Sequence, residues 1–204
     1  MNRGVLAAML LFATFAHAAP PGPIDQDWPC QQVKVPVLSV ASVWNGPPID
    51  TSDQSWSNDP AIADLASRLE ERRMPIEQAQ QTITTFAEHL GADKQAKLVM
   101  LFAALFDVLG QERASVMTGL DRFGQRQKEL AAKIRTELEA LRAEQDSPET
   151  DQAKLADLGQ RVGWDTQVFN DRRQTLSYAC QVPDTIAQRL FQLARTIQQL
   201  LQKS

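Results

Sequence analysis

Residues 92–110 read ADKQAKLVMLFAALFDVLG, and they open a stretch of more than fifty residues without proline that decides the fold. Apolar residues recur in this stretch every three or four positions as far as Gln145, which is the period of an amphipathic helix. Between Leu98 and Phe106 the apolar residues cover nearly the whole helical circumference, which is typical of a helix buried in a bundle or a membrane. The pattern predicts one long helix over 92–145, or two helices meeting near Gly110.

The length of the apolar run separates the bundle from the membrane. Leu98 to Phe106 is nine residues, closed by Lys97 and Asp107. A membrane-spanning helix needs roughly 20 apolar residues. The run therefore favours a helix buried in a bundle over a membrane-inserted hairpin.

After Gln111 the apolar stripe narrows and the remaining positions become strongly charged. The stripe is formed by Val116, Leu120, Phe123, Leu130, Ile134, Leu138 and Leu141. Gln127 interrupts it. A narrow stripe on a charged helix is typical of a two-helix seam rather than a globular core.

A second stripe follows, and it can form the other side of that seam. Its apolar members are Leu155, Leu158, Val162, Phe169 and Leu176. Asp165 and Arg172 fill two further seam positions. Before it, 146–149 reads Asp-Ser-Pro-Glu, which predicts a tight turn and a helix capped by Ser147. We therefore expect residues 111–181 to form an antiparallel, coiled-coil-like helical hairpin. Such a seam can close within one chain or between two, so a homodimer stays open.

Prolines mark the other helix starts. Asp59 followed by Pro60 is a capping residue with proline at the first helical position. Pro75 opens the next helix, and Pro183 breaks the chain before a last helix that starts at Asp184 or Thr185. The predicted fold class is all-α: residues 59–204 form a helical bundle that carries the long hairpin, preceded by an extended arm rich in proline and tryptophan.

The first 18 residues, MNRGVLAAMLLFATFAHA, predict a secretory signal peptide. Arg3 provides the positive start, an apolar core follows, and Ala16-His17-Ala18 is a small-x-small cleavage site. We expect cleavage after Ala18 and a periplasmic address; a retained anchor is the alternative. No later segment is apolar over a length that spans a bilayer, so we expect a soluble mature protein with no stable transmembrane span.

Residues 19–58 form the arm, which contains seven prolines and three of the four tryptophans. Proline is excluded from helix interiors, so we expect an extended segment. Valines and tryptophans favour docking of 27–48 between helices over free disorder of this segment, whereas we expect 19–26 to be disordered. Val33, Val35 and Val37 alternate, which allows one short strand. Trp28 and Trp44 are candidate partner contacts; the alternative is that they only clamp the arm.

Three short motifs of the arm carry a resemblance. They are Asp-Trp-Pro-Cys at 27–30, Val-Pro-Val-Leu-Ser at 35–39 and Trp-Asn-Gly-Pro at 44–47. Together they resemble the N-terminal segment of small, uncharacterised exported proteins of proteobacteria, in which Asp-Trp-Pro-Cys precedes Val-Pro-x-Leu-Ser. The resemblance covers about twenty residues and implies an exported, Gram-negative address. It implies no activity, cofactor or partner.

The two cysteines, Cys30 and Cys180, predict a structural disulfide. Exported chains meet an oxidising compartment, where an even pair of cysteines usually bonds. A bond between them closes a loop of about 150 residues. In the chain-entropy model this stabilises the folded protein by on the order of 5 kcal/mol. The spacing of a redox-active Cys-x-x-Cys pair is missing from the sequence.

Composition argues against several functional classes. Without the signal peptide the chain has 20 basic and 25 acidic side chains, a net charge of −5 with no basic cluster, so we do not expect nucleic-acid binding. One histidine, His89, remains, and with two distant cysteines it predicts no metal cluster and no cofactor. The catalytic motifs of serine hydrolases, zinc proteases and phosphate-binding loops are missing. We therefore predict no catalytic residues and no enzyme.

Two functional hypotheses remain. The first is an exported, periplasmic interaction or scaffold protein that binds another envelope protein, with Glu144 and Glu149 at the hairpin tip as candidate contacts. The alternative is a carrier of a small apolar ligand or lipid in the bundle core. The residues that would line such a pocket are Trp44, Phe102, Leu105 and Phe106. A filled core gives the same pattern.

Overall fold

The computed structural model describes residues 27–203. The predicted signal peptide, 1–18, and the first part of the arm, 19–26, lie outside this range. All regular structure within it is helical and no strand is present, which confirms the all-α fold class. The helices are α1 (Val40–Val43), α2 (Pro60–Glu70), α3 (Ile76–Glu88), α4 (Lys94–Gln145), α5 (Gln152–Ala179) and α6 (Val182–Gln202). Single 3₁₀ turns cover Ser55–Asn58 and Gly91–Asp93.

Helix α4 is continuous over 52 residues and is therefore about 78 Å long. It passes through Gly110, Gly119 and Gly124 without a break, which decides between the one-helix and two-helix predictions. Each interior glycine costs about 1 kcal/mol relative to alanine. Packing along the whole length of α4 offsets that cost, because α2 and α6 contact α4 in the bundle and α5 contacts it in the hairpin.

The bundle core is built around the first third of α4. Leu98, Leu101, Phe102, Leu105 and Leu109 are fully buried there. Helix α6 packs against both α4 and α3, and α2 packs against α4. Their buried residues recur every three or four positions, as expected for amphipathic helices. The fully buried members on these helices include Ile62, Leu69, Ile83, Ile186, Leu190, Leu193 and Ile197.

The distal part of α4 and helix α5 form the predicted antiparallel hairpin, and its seam closes within one chain. The amide of Gln127 donates to the carbonyl of Phe169 (3.3 Å), and Lys133 pairs with Asp165 (2.7 Å). Gln127 and Asp165 are buried in the seam. Arg172 was predicted to fill a seam position, but it is exposed.

The predicted start of α5 was wrong by several residues. The carboxylate of Asp151 accepts hydrogen bonds from the amides of Ala153 (2.9 Å) and Lys154 (3.2 Å), and this double cap starts the helix at Gln152. Ser147 instead belongs to the preceding turn. The start of α6 was also displaced: it begins at Val182. Pro183 lies in its first turn, where a missing N–H costs nothing.

Candidate interaction surfaces

A disulfide joins the arm to the end of α5. Cys30 and Cys180 are bonded, with their Cα atoms 5.7 Å apart, as the sequence predicted. Next to this bond, the side-chain amide of Gln32 donates to the carbonyl oxygen of Cys180. The arm therefore has a covalent anchor and a hydrogen-bonded one at the same point.

From this anchor the arm runs along α4 in the opposite direction. The ammonium of Lys34 pairs with Asp121 (2.8 Å), and farther along the arm the guanidinium of Arg113 donates to the carbonyl oxygen of Pro36 (3.3 Å). Arm positions rise while α4 positions fall, so the two segments are antiparallel. The arm is docked along α4 by polar contacts spaced over several helical turns.

The valines of the arm divide into two groups. Val43 is buried in the core and Val40 packs against it, as expected, whereas the expectation that Val33, Val35 and Val37 also bury area was wrong. Val33 and Val37 are 86% and 81% exposed, and Val35 is exposed too. Successive side chains of an extended segment point in opposite directions. Since Lys34 turns towards Asp121 on α4, the valines on either side of it face away. Residues 33–36 lie between bends and form no helix, and they pair with no strand in the part of the chain that the structure describes.

Trp44 is not a surface contact, which corrects its assignment as a partner residue. It is buried, and its ring stacks on Phe102 with centroids 3.9 Å apart and planes 6° from parallel. Its indole nitrogen donates to the carbonyl of Pro47 (2.7 Å). A Cβ atom at Gly46 would overlap the indole ring, so only glycine fits there. Trp44 is the apolar anchor of the arm.

Trp28 is half-buried and stabilises the beginning of the arm. Its indole nitrogen donates to the carbonyl of Gln32 (2.8 Å), and the ammonium of Lys34 lies 5.6 Å from its ring centroid. Both contacts are within the arm. Part of the indole stays accessible, so Trp28 remains a candidate contact while also acting as a clamp.

The two glutamates that we expected at the hairpin tip lie in different environments. Glu144 is buried, accepts a hydrogen bond from the amide of Asp151 (2.9 Å) and pairs with Lys154 (2.7 Å). These contacts hold the pKa of Glu144 below its ordinary value, with Lys154 as the largest cause. Glu144 therefore closes the tip instead of offering a surface contact, which corrects its assignment. Glu149 is exposed, and its carboxylate pairs with no cation among residues 27–203.

Trp164 is one of two largely exposed aromatic side chains of the hairpin, the other being Tyr178, and our sequence reasoning singled out neither. Trp164 is 66% exposed on α5. The signal was present in the spacing: with Val162 and Asp165 in the seam, position 164 falls outside it. Its neighbours one turn away on either side are Gln160 and Val168, neither of which is aromatic.

The proposed core pocket is filled by its own lining. Phe102 and Leu105 are fully buried, and Trp44 stacks directly on Phe102. Phe106 lies 6.1 Å from Phe102, ring centre to ring centre, and lines a separate cavity beneath the arm. The four residues that were expected to enclose a ligand therefore pack on one another.

The cavity beneath the arm has a volume of about 220 Å³. It lies between the arm, α4 and α6, and Arg113 lines it with only 4% of its surface exposed. Burial lowers the pKa of the Arg113 guanidinium, an effect that the nearby Asp184 opposes. The carboxylates that line this cavity belong to Asp50, Asp53 and Asp107.

An open groove of about 950 Å³ lies where the end of α2 approaches α4. One pair of its charges is internal, since Arg72 pairs with Glu112 (3.1 Å). Glu70, Glu71 and Arg73 also line the groove and form no ion pair among the described residues. Burial raises the pKa of Glu70, and the neighbouring carboxylates of Glu112 and Glu71 add to the increase.

The structure was also searched for metal-binding clusters and for membrane-spanning helices. Across residues 27–203, no three histidine, cysteine or acidic side chains are grouped so that they could hold a metal ion. No helix in that range combines the length and apolar character needed to cross a membrane. No family model, no curated protein and no solved structure matches the chain.

Proposed function

We propose that this protein is exported to the periplasm and acts there as a non-catalytic scaffold that binds another envelope protein. In this proposal the signal peptide 1–18 directs export and is removed after Ala18. The bonded pair Cys30–Cys180 supports an oxidising compartment, because disulfides persist mainly in such compartments. The arm motifs that resemble those of exported proteobacterial proteins support the same address.

The observation that carries the interaction role is the exposure of Trp164 on the hairpin. Tryptophan is among the residue types most enriched at binding hot spots, where truncation costs about 2 kcal/mol or more. The Trp164 ring contributes little to the fold, since two thirds of its surface faces solvent. The hairpin is two helices thick, so it provides contact surface and has no interior in which to hold a substrate.

The hairpin holds this ring on a fixed support. Polar contacts join α4 to α5 at three levels along the seam: Gln127 with Phe169, Lys133 with Asp165, and Glu144 with Lys154. Polar pairs at defined levels in a helical seam fix its register. A preorganised surface loses less conformational entropy when it binds a partner. The partner is therefore expected to contact the outer face of α5 around Trp164.

Site-specific photo-crosslinking in living cells tests this proposal. A photoreactive amino acid replaces Trp164 in one variant and Glu88, an exposed residue of α3 on the bundle, in the control. We expect a defined protein adduct from position 164 only. Equal adducts from both positions, or none from position 164, would contradict the proposal. An adduct with a second copy of the chain would indicate a homodimer instead of an envelope partner.

A binding assay with the captured partner supplies the quantitative test. Trp164→Ala is expected to weaken the complex by about ten-fold or more, which is 1.4 kcal/mol. Its free energy of unfolding should stay within about 0.5 kcal/mol of that of the unsubstituted protein, because the ring is exposed. Glu88→Ala is the matched control and should bind normally. Unchanged affinity for Trp164→Ala would remove Trp164 from the interface.

A further inference from the structure

We infer that the cavity beneath the arm is a binding site for a small aliphatic zwitterion, a molecule with an ammonium group, a carboxylate and a short apolar body. The cavity lies between the arm, α4 and Leu190 of α6. It is separate from the outer face of α5, so this inference goes beyond the scaffold role. Three properties of the lining carry it: an unpaired buried cation, unpaired carboxylates and an apolar wall.

Arg113 supplies the cation. Only 4% of its surface is exposed to solvent. Its one hydrogen bond is donated from Nη1 to the carbonyl oxygen of Pro36 (3.3 Å). Its Nε is buried without a hydrogen-bond partner. No carboxylate of residues 27–203 lies within ion-pair distance of this guanidinium. The nearby Asp184 attracts this guanidinium without forming a direct ion pair. A buried guanidinium that lacks a direct ion pair is costly, so a ligand carboxylate that reaches it gains a strong, charge-assisted contact.

The carboxylates lie in the same lining. Asp50 and Asp53 belong to the arm, where they accept hydrogen bonds from Ser52 and Ser55. Asp107 belongs to α4. None of the three forms an ion pair with a cation in the described chain. Each ionised carboxylate has roughly four acceptor sites, so capacity remains for a ligand ammonium.

The charges select for a molecule that carries both signs. A simple anion would satisfy Arg113 but would approach three carboxylates. A simple cation would satisfy a carboxylate but would leave the guanidinium unpaired. The carboxylate of a zwitterion can pair with Arg113 while its ammonium group pairs with a carboxylate of the lining. Such a ligand adds no net charge to the site.

The apolar wall and the volume limit the body of the ligand. Leu38, Phe106 and Leu190 line the cavity between its charged groups. A volume of about 220 Å³ equals the liquid volume of roughly seven waters. That space is smaller than the usual drug-sized pocket. It suits a free aliphatic amino acid and excludes a lipid or a folded peptide.

Isothermal titration calorimetry of the oxidised full chain with L-leucine tests the assignment. Two analogues serve as comparisons: 4-methylpentanoate lacks the ammonium, and 3-methylbutylamine lacks the carboxylate. We expect L-leucine to bind, and each analogue to bind at least about ten-fold more weakly because a charge in the lining stays unpaired. No binding of L-leucine, or equal binding of either analogue, would overturn the inference.

Two glycines of α4 provide a blocking variant and its matched control. Gly110 lines the cavity, and a Cβ atom added there meets no heavy atom within 4 Å. Gly119 has the same open surroundings but lies outside the cavity lining. Gly110→Leu should therefore fold and abolish L-leucine binding, while Gly119→Leu should bind as the unsubstituted protein does. Retained binding in Gly110→Leu would place the ligand elsewhere and contradict the inference.

A third variant tests the role of the guanidinium. Arg113→Gln removes the positive charge, so L-leucine should lose its advantage over 3-methylbutylamine. Preserved discrimination between these two compounds would show that Arg113 does not contact the ligand carboxylate. If Arg113→Gln does not fold, the Gly110 and Gly119 pair still decides whether the cavity is the site.

Discussion

Gly124 of α4 lies directly beneath the main-chain carbonyl of Asp27, and a Cβ atom at position 124 would overlap that oxygen. The same Cβ atom would be 3.3 Å from Cδ of Pro29. At this point the arm crosses α4 so closely that no side chain fits between them. Next to the crossing, Asp27 pairs with Lys128 (2.9 Å). Gly119, in the same helix, faces open space instead.

We expect the substitution of these two glycines by alanine to change stability by different amounts. Gly119→Ala should raise the free energy of unfolding by about 1 kcal/mol, because alanine is the better helix former. The free energy of unfolding of Gly124→Ala should be lower than that of Gly119→Ala by roughly 1–3 kcal/mol, because the arm must shift away from the added methyl group. Urea denaturation of the oxidised variants measures both values. Equal values for the two variants would mean that the arm does not lie against Gly124.

The disulfide should contribute strongly to the stability of the docked arm. Reducing Cys30–Cys180, or replacing both cysteines by alanine, should lower the free energy of unfolding by about 2–5 kcal/mol. Tryptic cleavage after Lys34 should also accelerate, because the arm then loses its covalent anchor and is held by non-covalent contacts, such as the Lys34–Asp121 ion pair and the stacking of Trp44 on Phe102. Denaturation with and without reductant, with mass spectrometry of the fragments, measures these effects. The double-alanine variant is the control, because reductant should not change it.

Arg189 should be among the most important single side chains of the bundle. It is buried in α6 and donates from Nε to the carbonyl of Leu69 (2.7 Å) and from Nη1 to that of Met74 (2.9 Å). Leu69 is in the last turn of α2, where carbonyls lack helical partners. Arg189→Met should lower the free energy of unfolding by about 2–4 kcal/mol, because two carbonyls lose a charged donor.

Arg195 is the matched control for this prediction. It lies on α6 but is exposed, with its guanidinium 5.7 Å from the ring centroid of Phe191. Arg195→Met should change the free energy of unfolding by less than about 0.5 kcal/mol. Denaturation midpoints of the two variants give the comparison. A small effect for Arg189→Met would show that water replaces its hydrogen bonds.

The hairpin tip should weaken in acid. The pKa of Glu144 is held below the ordinary glutamate value of about 4.3, chiefly by Lys154 and also by the amide of Asp151. Since the folded pKa is the lower one, the stabilisation is present above the ordinary value and is lost as pH falls through the folded value. Glu144→Gln should therefore be less stable than the unsubstituted protein at pH 7, and the difference should shrink at pH 3.

Hydrogen exchange of the tip amides measures this effect locally. The amide of Asp151, which donates to Glu144, should lose protection in Glu144→Gln at neutral pH. Glu149→Gln is the control, because the exposed Glu149 carboxylate pairs with no cation in the described range. A difference between Glu144→Gln and the unsubstituted protein that is the same at pH 7 and pH 3 would contradict the role of the ion pair.

Much of the helical framework could be predicted from local patterns. The apolar run from Leu98 to Phe106 identified the part of α4 that is buried in the bundle. Asp59 before Pro60 marked the start of α2, where Asp59 accepts from the amides of Ala61 and Ile62. These predictions succeeded because helix periodicity and capping act over a few residues. The start of α5 was missed because Ser147 and Asp151 are both capping residues, and only Asp151 bonds the amides that start α5.

The surfaces could not be predicted in the same way. Trp28, Trp44 and Trp164 look alike in the sequence, yet one is half-buried, one is stacked in the core and one is largely exposed. Glu144 and Glu149 lie five residues apart at the same tip, and only Glu144 reaches both an amide and a lysine on α5. Their environments depend on residues that are distant in the chain or on the far side of the turn.

By itself the sequence determined the all-α class, the positions of the long helices, the antiparallel hairpin and the pairing of Cys30 with Cys180. Each of these follows from hydrophobic period, local capping or the only cysteine pair available. Only the tertiary structure decided the continuity of α4, the path of the arm, the burial of Trp44 and the unpaired state of Arg113 beside the arm. The physical reason is that burial and charge pairing depend on which surfaces meet, and chain segments far apart in sequence meet only when the whole fold closes.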